Sequence, residues 1–337
     1  MTERVRDPYF NRQSREFYGR RDAEVQERVA VDLDAARAFL RNCQGPAGYQ
    51  QFPGHTRPVD LENTFGGVCA SLLLGVNPEA ATPTEAIGLD TQRGQIRLGG
   101  KEEPLAPEKV FRYLFLAGLQ RRVPPRIRTY LVDIVRQRRD PTVGAYGTGA
   151  GLDNHPVRRT WEAVVSLRLA EAHEQARDCL AFVERCFDPK TGGYRQALDG
   201  PTDVTPTYNA IALHRMLDVP LEGSRREALL RFVGGMQDVD GFRTDPRHHP
   251  NLWKTFDILM ILAMLDHLPA EPTAGAIRRY LAQCQGPGGG FRPSVHGKAE
   301  SALKTYSALT MLSILGEPGL EKVVPETGFP AMRVLPG

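Results

Sequence analysis

At 337 residues the chain suffices for one large domain or two, and its 43 basic and 40 acidic side chains leave a net charge of +3, too little to hold nucleic acid or an anionic membrane. No apolar run reaches the length of a membrane span and no charged-then-apolar leader opens the chain. A cytoplasmic protein without a membrane span, monomeric or homo-oligomeric, is expected.

Residues 1–34 are charge-rich and stand apart as an extra helical segment. From residue 35 to 316 one short signature then returns six times: Asn63-Thr64-Phe65, Lys109-Val110-Phe111, Arg159-Thr160-Trp161, Pro206-Thr207-Tyr208, Lys254-Thr255-Phe256 and Lys304-Thr305-Tyr306. The central residues lie 46, 50, 47, 48 and 50 positions apart. A fixed period of this length marks repeated supersecondary units. Each unit reads as a first helix, a Gly-rich turn and a second helix that opens on the signature.

The turns, in chain order, are Gly45-Pro46-Ala47-Gly48-Tyr49, Gly144-Ala145-Tyr146, Gly192-Gly193-Tyr194, Asp240-Gly241-Phe242 and Gly288-Gly289-Gly290-Phe291. Glycine supplies the left-handed backbone that ends a helix. The second repeat is degenerate, with Thr91-Gln92-Arg93-Gly94 where its turn belongs. Cys43, Cys69, Cys179, Cys186 and Cys284 form no Cys-x-x-Cys pair and are read as small buried residues. The tail 317–337, with four prolines, is expected to track the surface. The fold class is all-α, six helix hairpins in one domain.

The signature also fixes a register, counted from the Thr (or Val110) position as zero. Position +4 is always apolar and +1 always aromatic, and the two share a helical face. This face is expected to pack between helix layers. The opposite face carries positions −1 and +3. Position +3 is mostly small, with Tyr113 the large exception, and position −1 holds Lys109, Arg159, Lys254 and Lys304. If the hairpins close into a ring, this face lines a central cavity. The cations then sit at its mouth, where the helix N-termini add positive potential. Such a mouth suits a small amphipathic anion.

Further candidates cluster near that mouth. Arg158 adjoins Arg159, so one of the two is expected to reach the cavity. Trp253 precedes Lys254 and would floor the mouth. His214, at +7, is a core histidine or a base. Glu162 and Asp257, both at +2, are expected to pair with neighbouring helices. His248 and His249 are adjacent loop residues that do not easily bind one ion together.

This layout resembles the terpenoid cyclase and protein prenyltransferase superfamily, with Gln283-Cys284-Gln285-Gly286-Pro287-Gly288-Gly289-Gly290-Phe291 the best single copy of its repeat. The resemblance implies an α/α toroid whose cavity takes isoprenoids, commonly diphosphates. Protein prenyltransferases of this type hold zinc through Asp, Cys and His, and the matching positions here are Leu252, Lys254 and Lys304. None is a zinc ligand, so no metal and no other cofactor is expected. Arg247-His248-His249 falls where those enzymes bind diphosphate. Protonating cyclases carry Asp-x-Asp-Asp-Thr, and the matching stretch is Asp203-Val204-Thr205-Pro206-Thr207, with Thr205 at the donor position.

The leading reading is therefore a cyclase-like, metal-independent enzyme. Asp203, Lys254 and Lys304 are its catalytic candidates. Lys109, Arg158, Arg159, His248, His249, Trp253, Tyr113 and His214 are its substrate-binding candidates. Prenyl transfer to a small acceptor, ligand binding without catalysis, and non-isoprenoid chemistry stay open beside it.

Overall fold

In the computed structural model, residues 30–55, 59–85, 87–121, 123–147, 156–221, 223–238, 241–242, 250–271 and 273–330 are described. Their helices alternate between an outer and an inner layer. The outer helices are α1 (Leu33–Cys43), α3 (Pro78–Ala81), α5 (Pro125–Arg136), α7 (Leu180–Arg185), α9 (Gly223–Gly234) and α11 (Thr273–Cys284). The inner helices are α2 (Leu61–Leu73), α4 (Val110–Leu119), α6 (Pro156–Leu169), α8 (Val204–Met216), α10 (Leu252–Met264) and α12 (Ala302–Ile314).

Composition explains the layering. Outer helix α1 is amphipathic and buries Ala36, Phe39, Leu40 and Cys43, a single stripe at helical spacing. Inner helix α2 buries eleven of its thirteen residues, because it is covered on both sides. Side-chain caps start four inner helices: Asp60, Asp203, Asn251 and Ser301 each accept a backbone N–H of the first turn.

The Thr of the signature ties the two layers together. The Thr160, Thr207 and Thr305 hydroxyls donate to the carbonyls of Pro156, Asp203 and Ser301 at 2.7, 2.6 and 2.9 Å. The same oxygens accept the N–H of the turn aromatic, Tyr146, Tyr194 and Phe291, at 3.1, 2.9 and 3.1 Å. Thr64 accepts from Tyr49 at 3.2 Å in the first repeat. The constant interval between turn and signature is thus a hydrogen-bonded link that satisfies a buried N–H.

Successive inner helices touch in chain order, and α12 returns to pack on α2, so the ring is closed. Gly66 of α2 makes that last contact possible, since a Cβ there would lie 2.8 Å from the Leu303 backbone. A clasp joins the ends on the outside. Gln285 Nε2 donates to the Asp32 carbonyl at 2.7 Å, and Asp32 N–H donates to Gln285 Oε1 at 2.8 Å.

In the second repeat the outer helix shrinks to the one-turn α3. A three-stranded antiparallel sheet (Gly88–Asp90, Gln95–Leu98, Lys101–Pro104) takes its place. The Thr91–Gly94 stretch is the tight turn of that sheet, with Gly94 at φ +62°.

The tail departs from expectation. Glu321 N–H donates to the Leu73 carbonyl at 2.8 Å, and Ser313 Oγ donates to the Glu321 carbonyl at 2.6 Å. Both anchors lie at the C-terminal ends of inner helices. The chain then forms a hairpin, Val323–Val324 against Phe329–Pro330, with Phe329 buried. It turns into the ring instead of following the surface. All five cysteines are unpaired and buried, as expected. Among the described residues no helix is long and apolar enough to cross a membrane.

Candidate functional site

The six +1 aromatics form a belt inside the ring. Ring centroids are 5.7 Å apart for Phe65–Phe111, 5.8 Å for Phe111–Trp161, 5.8 Å for Trp161–Tyr208, 6.2 Å for Tyr208–Phe256 and 5.8 Å for Tyr306–Phe65. Side chains from six helices set around a ring touch in this sequence only if they converge on its axis. This corrects the expected orientation. The +1 face looks into the lumen, and the Thr face with +3 looks outward. At +3, a Cβ on Gly67 would collide with the Tyr49 ring of the turn. The small +3 residues make room for turn aromatics rather than for a ligand. Tyr113, also at +3, is buried, and burial raises its phenol to about 12.

The expected cations lie near the N-terminal ends of the inner helices, but most are already paired. Lys254 Nζ is 2.6 Å from Asp203 Oδ1 and 3.2 Å from Thr205 Oγ1. Lys109 Nζ is 3.0 Å from Glu103. Arg158 and Arg159 grip opposite oxygens of buried Glu162, at 3.2 and 2.8 Å. These four cations are thus balanced by carboxylates of the chain itself. Lys304 differs. Among the described residues no carboxylate lies within ion-pair distance of it, and its Nζ stands 3.5 Å above the centre of the Trp253 ring. Burial pushes its pKa down to about 7, with Glu62 acting weakly the other way.

Asp203 is likewise engaged within the fold. It caps α8, accepting from the Val204 and Thr205 N–H groups, and pairs with Lys254. His214 lies away from the lumen. Its Nε2 is 2.7 Å from Glu184 of outer helix α7, its Nδ1 is 3.3 Å from the Val219 carbonyl, and burial lowers its pKa. It is a core histidine. His248 and His249 lie outside the described residues.

Sequence reasoning undervalued the +2 position. There Asp257 is buried between α10 and α8, accepting a 2.5 Å hydrogen bond from Thr205 Oγ1. Burial raises its pKa from 3.8 to about 6 against the opposing pull of Lys254 and Thr205. Arg112, also at +2, lays its guanidinium 4.6 Å from the centre of the Phe111 ring and 3.4 Å from Glu62. Arg112, Glu162, Asn209, Asp257 and Ser307 make +2 a polar row in otherwise apolar helices, which was the available signal.

The tail completes the site. Phe329 reaches the belt, with centroid distances of 4.9 Å to Phe115, 5.4 Å to Phe65 and 6.2 Å to Phe111. Trp161 Nε1 donates to the Glu326 carbonyl at 3.1 Å, and the Tyr306 hydroxyl donates to the Gly328 carbonyl.

The family model described as the prenyltransferase alpha-alpha toroid domain matches residues 154–322, half of the chain. The chain belongs to this family. The match begins in the third repeat, beyond the aberrant second one. A curated relative, the geranylgeranyl transferase type-2 subunit beta of Candida albicans, is 22% identical over 169 residues, 47% of this chain and 49% of the relative. The chain thus spans about half the length of that relative. Candida albicans protein geranylgeranyltransferase-I, solved complexed with GGPP, superimposes with a TM-score of 0.61 at 12% identity, covering 80% of this chain and 88% of that one. That likeness is one of fold.

The zinc associated with the resemblance does not fit the residues at the matching positions. Leu252 is apolar and buried, Lys254 is spent on Asp203, and Lys304 stacks on Trp253. Among the described residues no group of three His, Cys, Asp or Glu side chains could hold a metal.

Proposed function

We propose that this toroid takes an isoprenoid-type chain into its aromatic lumen and acts on it as a metal-independent, cyclase-like enzyme. The observation that carries the reading is the belt, because six aromatic faces around one axis offer an apolar fit for a hydrocarbon chain. They also stabilise positive charge that develops on it.

Asp257 is the acid this reading selects, in place of Asp203. A carboxyl with a pKa near 6 is protonated in an appreciable fraction at neutral pH. It is near Tyr208, whose phenol its charge helps to raise. The carboxyl proton adds to one carbon of a double bond, leaving a carbocation on the other, facing the belt. Loss of a proton from the cyclised cation restores the balance. An anionic head would rest on Lys304, since Lys109, Arg158, Arg159 and Lys254 are engaged by carboxylates.

A second reading, prenyl transfer to an acceptor, is favoured by the printed names of the relatives. It lacks a visible group to activate the acceptor. Incubating the full chain with farnesyl diphosphate, geranylgeranyl diphosphate and squalene, followed by product analysis, tests both. Cyclised products that persist in a chelator and vanish in Asp257→Asn support the first. Products that appear only when an acceptor is added support the second.

A further inference from the structure

The lumen that should receive a ligand is occupied by the chain's own hairpin. The hairpin has two-residue strands, and one large aromatic side chain, Phe329 on its second strand beside the turn, meets the belt. Two-stranded hairpins of this size do not hold their shape alone in water. Its conformation depends on the ring around it. The anchors at Leu73 and Ser313 lie at the last turns of α2 and α12, so it enters from the end opposite the Lys304 rim.

Three contacts hold its far part: Trp161 Nε1 to the Glu326 carbonyl at 3.1 Å, the Tyr306 hydroxyl to the Gly328 carbonyl, and Arg168 to Glu326 at 3.7 Å. Gly328 sits at φ +73°, a conformation few other residues adopt, and it lets the backbone approach the Tyr306 hydroxyl.

We propose that residues 321–330 form an intramolecular plug that competes with the ligand for the aromatic belt, so that the ligand binds only as the hairpin withdraws. The proposal rests on the isoprenoid reading solely for the nature of the competitor. It also narrows that competitor. Withdrawal strips an acceptor from one buried donor, the Tyr306 hydroxyl, and one half-buried donor, the Trp161 indole, and leaving both unmet is costly. Displacement is therefore cheapest for a ligand that offers an oxygen at the depth of the belt, a requirement a bare hydrocarbon does not meet. An oxygen-bearing amphipath meets the requirement, and water drawn in behind a shorter ligand meets it less well.

The test uses the full chain and two variants. Phe329→Ala removes the ring that meets the belt, and Gly328→Val strains the hairpin backbone and presses a side chain on the Tyr306 hydroxyl. The probes are the amphipathic anion 1-anilinonaphthalene-8-sulfonate and farnesyl diphosphate, with hydrogen exchange read at residues 323–330 and in the inner helices. The dye should bind both variants about ten- to a hundredfold more tightly than the parent, the range a lost buried Phe allows. Farnesyl diphosphate should speed exchange at 323–330 in the parent while the inner helices stay protected.

Unchanged dye affinity in both variants, with inner helices still protected, overturns the plug. Farnesyl diphosphate that binds while exchange at 323–330 stays slow also overturns it, and leaves the isoprenoid reading standing. Dye that enters the variants while farnesyl diphosphate binds neither parent nor variants supports the plug and removes the isoprenoid reading.

Discussion

Lys304 stands with its ammonium 3.5 Å above the centre of the Trp253 ring, where the family pattern would place a zinc ligand. Two effects oppose each other there. Burial pushes the pKa from 10.5 to about 7, whereas the negative face of the indole favours the charged form. Between pH 7 and 10.5 the folded chain binds fewer protons at this site than the unfolded chain. Stability from this group therefore rises with pH across that window. Lys304→Met should flatten the rise in urea midpoints measured from neutral to alkaline pH. In a 13C-lysine titration, Trp253→Leu should lower the Lys304 midpoint further. A midpoint near the ordinary lysine value that ignores Trp253 would contradict this account.

Asp257 gives the opposite sign at lower pH. Its pKa rises from 3.8 to about 6 on folding, so between those values the folded chain holds the extra proton. Stability from this group is full below the unfolded value and falls as pH rises through 6. Asp257→Asn should stabilise the chain at pH 7 by on the order of 3 kcal/mol, following the energy of a shift of this size. It should also abolish any acid-initiated product. Thr205→Val removes a hydrogen bond to the carboxylate and should move the titration upward. Equal loss of stability in Asp257→Asn at pH 5 and pH 8 would show that the carboxyl has only a packing role.

How much of this was legible from residues alone differs from place to place. The period, the turns and the six hairpins were readable because Thr305 must accept the Phe291 N–H, and each such bond fixes a spacing. The orientation of the helices was not. A helix covered on both sides is apolar all round, so α2 offers no polar face to tell lumen from layer. Charge at position −1 was visible, but its pairing was not, since Asp203 precedes Lys254 by one whole repeat. The tail reads as a proline-rich surface strip, and its place in the lumen emerges only from the contacts of Glu326, Gly328 and Phe329.

The signature Thr should carry measurable stability. In Thr305→Val the Phe291 N–H loses its acceptor while buried. A loss of about 1–3 kcal/mol in denaturant unfolding is expected, the range for one unmet buried donor. Thr305→Ser keeps the hydroxyl and should lose clearly less. Equal losses in the two variants would mean that the methyl group, not the link, matters.

Ring closure should depend on Gly289. Its φ is +93°, and a Cβ there would collide with the Ala35 carbonyl of α1. Gly289→Ala should therefore cost more than the roughly 1 kcal/mol of an unfavourable backbone alone. Gly54→Ala provides the comparison, because it also has positive φ but open space around it. Similar melting temperatures for the two variants would argue against a tight seam between the last and first repeats.

The lumen itself is open to one direct measurement. A photoreactive farnesyl diphosphate analogue, bound to the full chain and irradiated, should label the belt at Phe65, Phe111, Trp161 or Tyr208, and excess farnesyl diphosphate should suppress the label. Labels confined to the outer helices, or no suppressible label in either the parent chain or Phe329→Ala, would contradict the claim that this ring encloses an isoprenoid site.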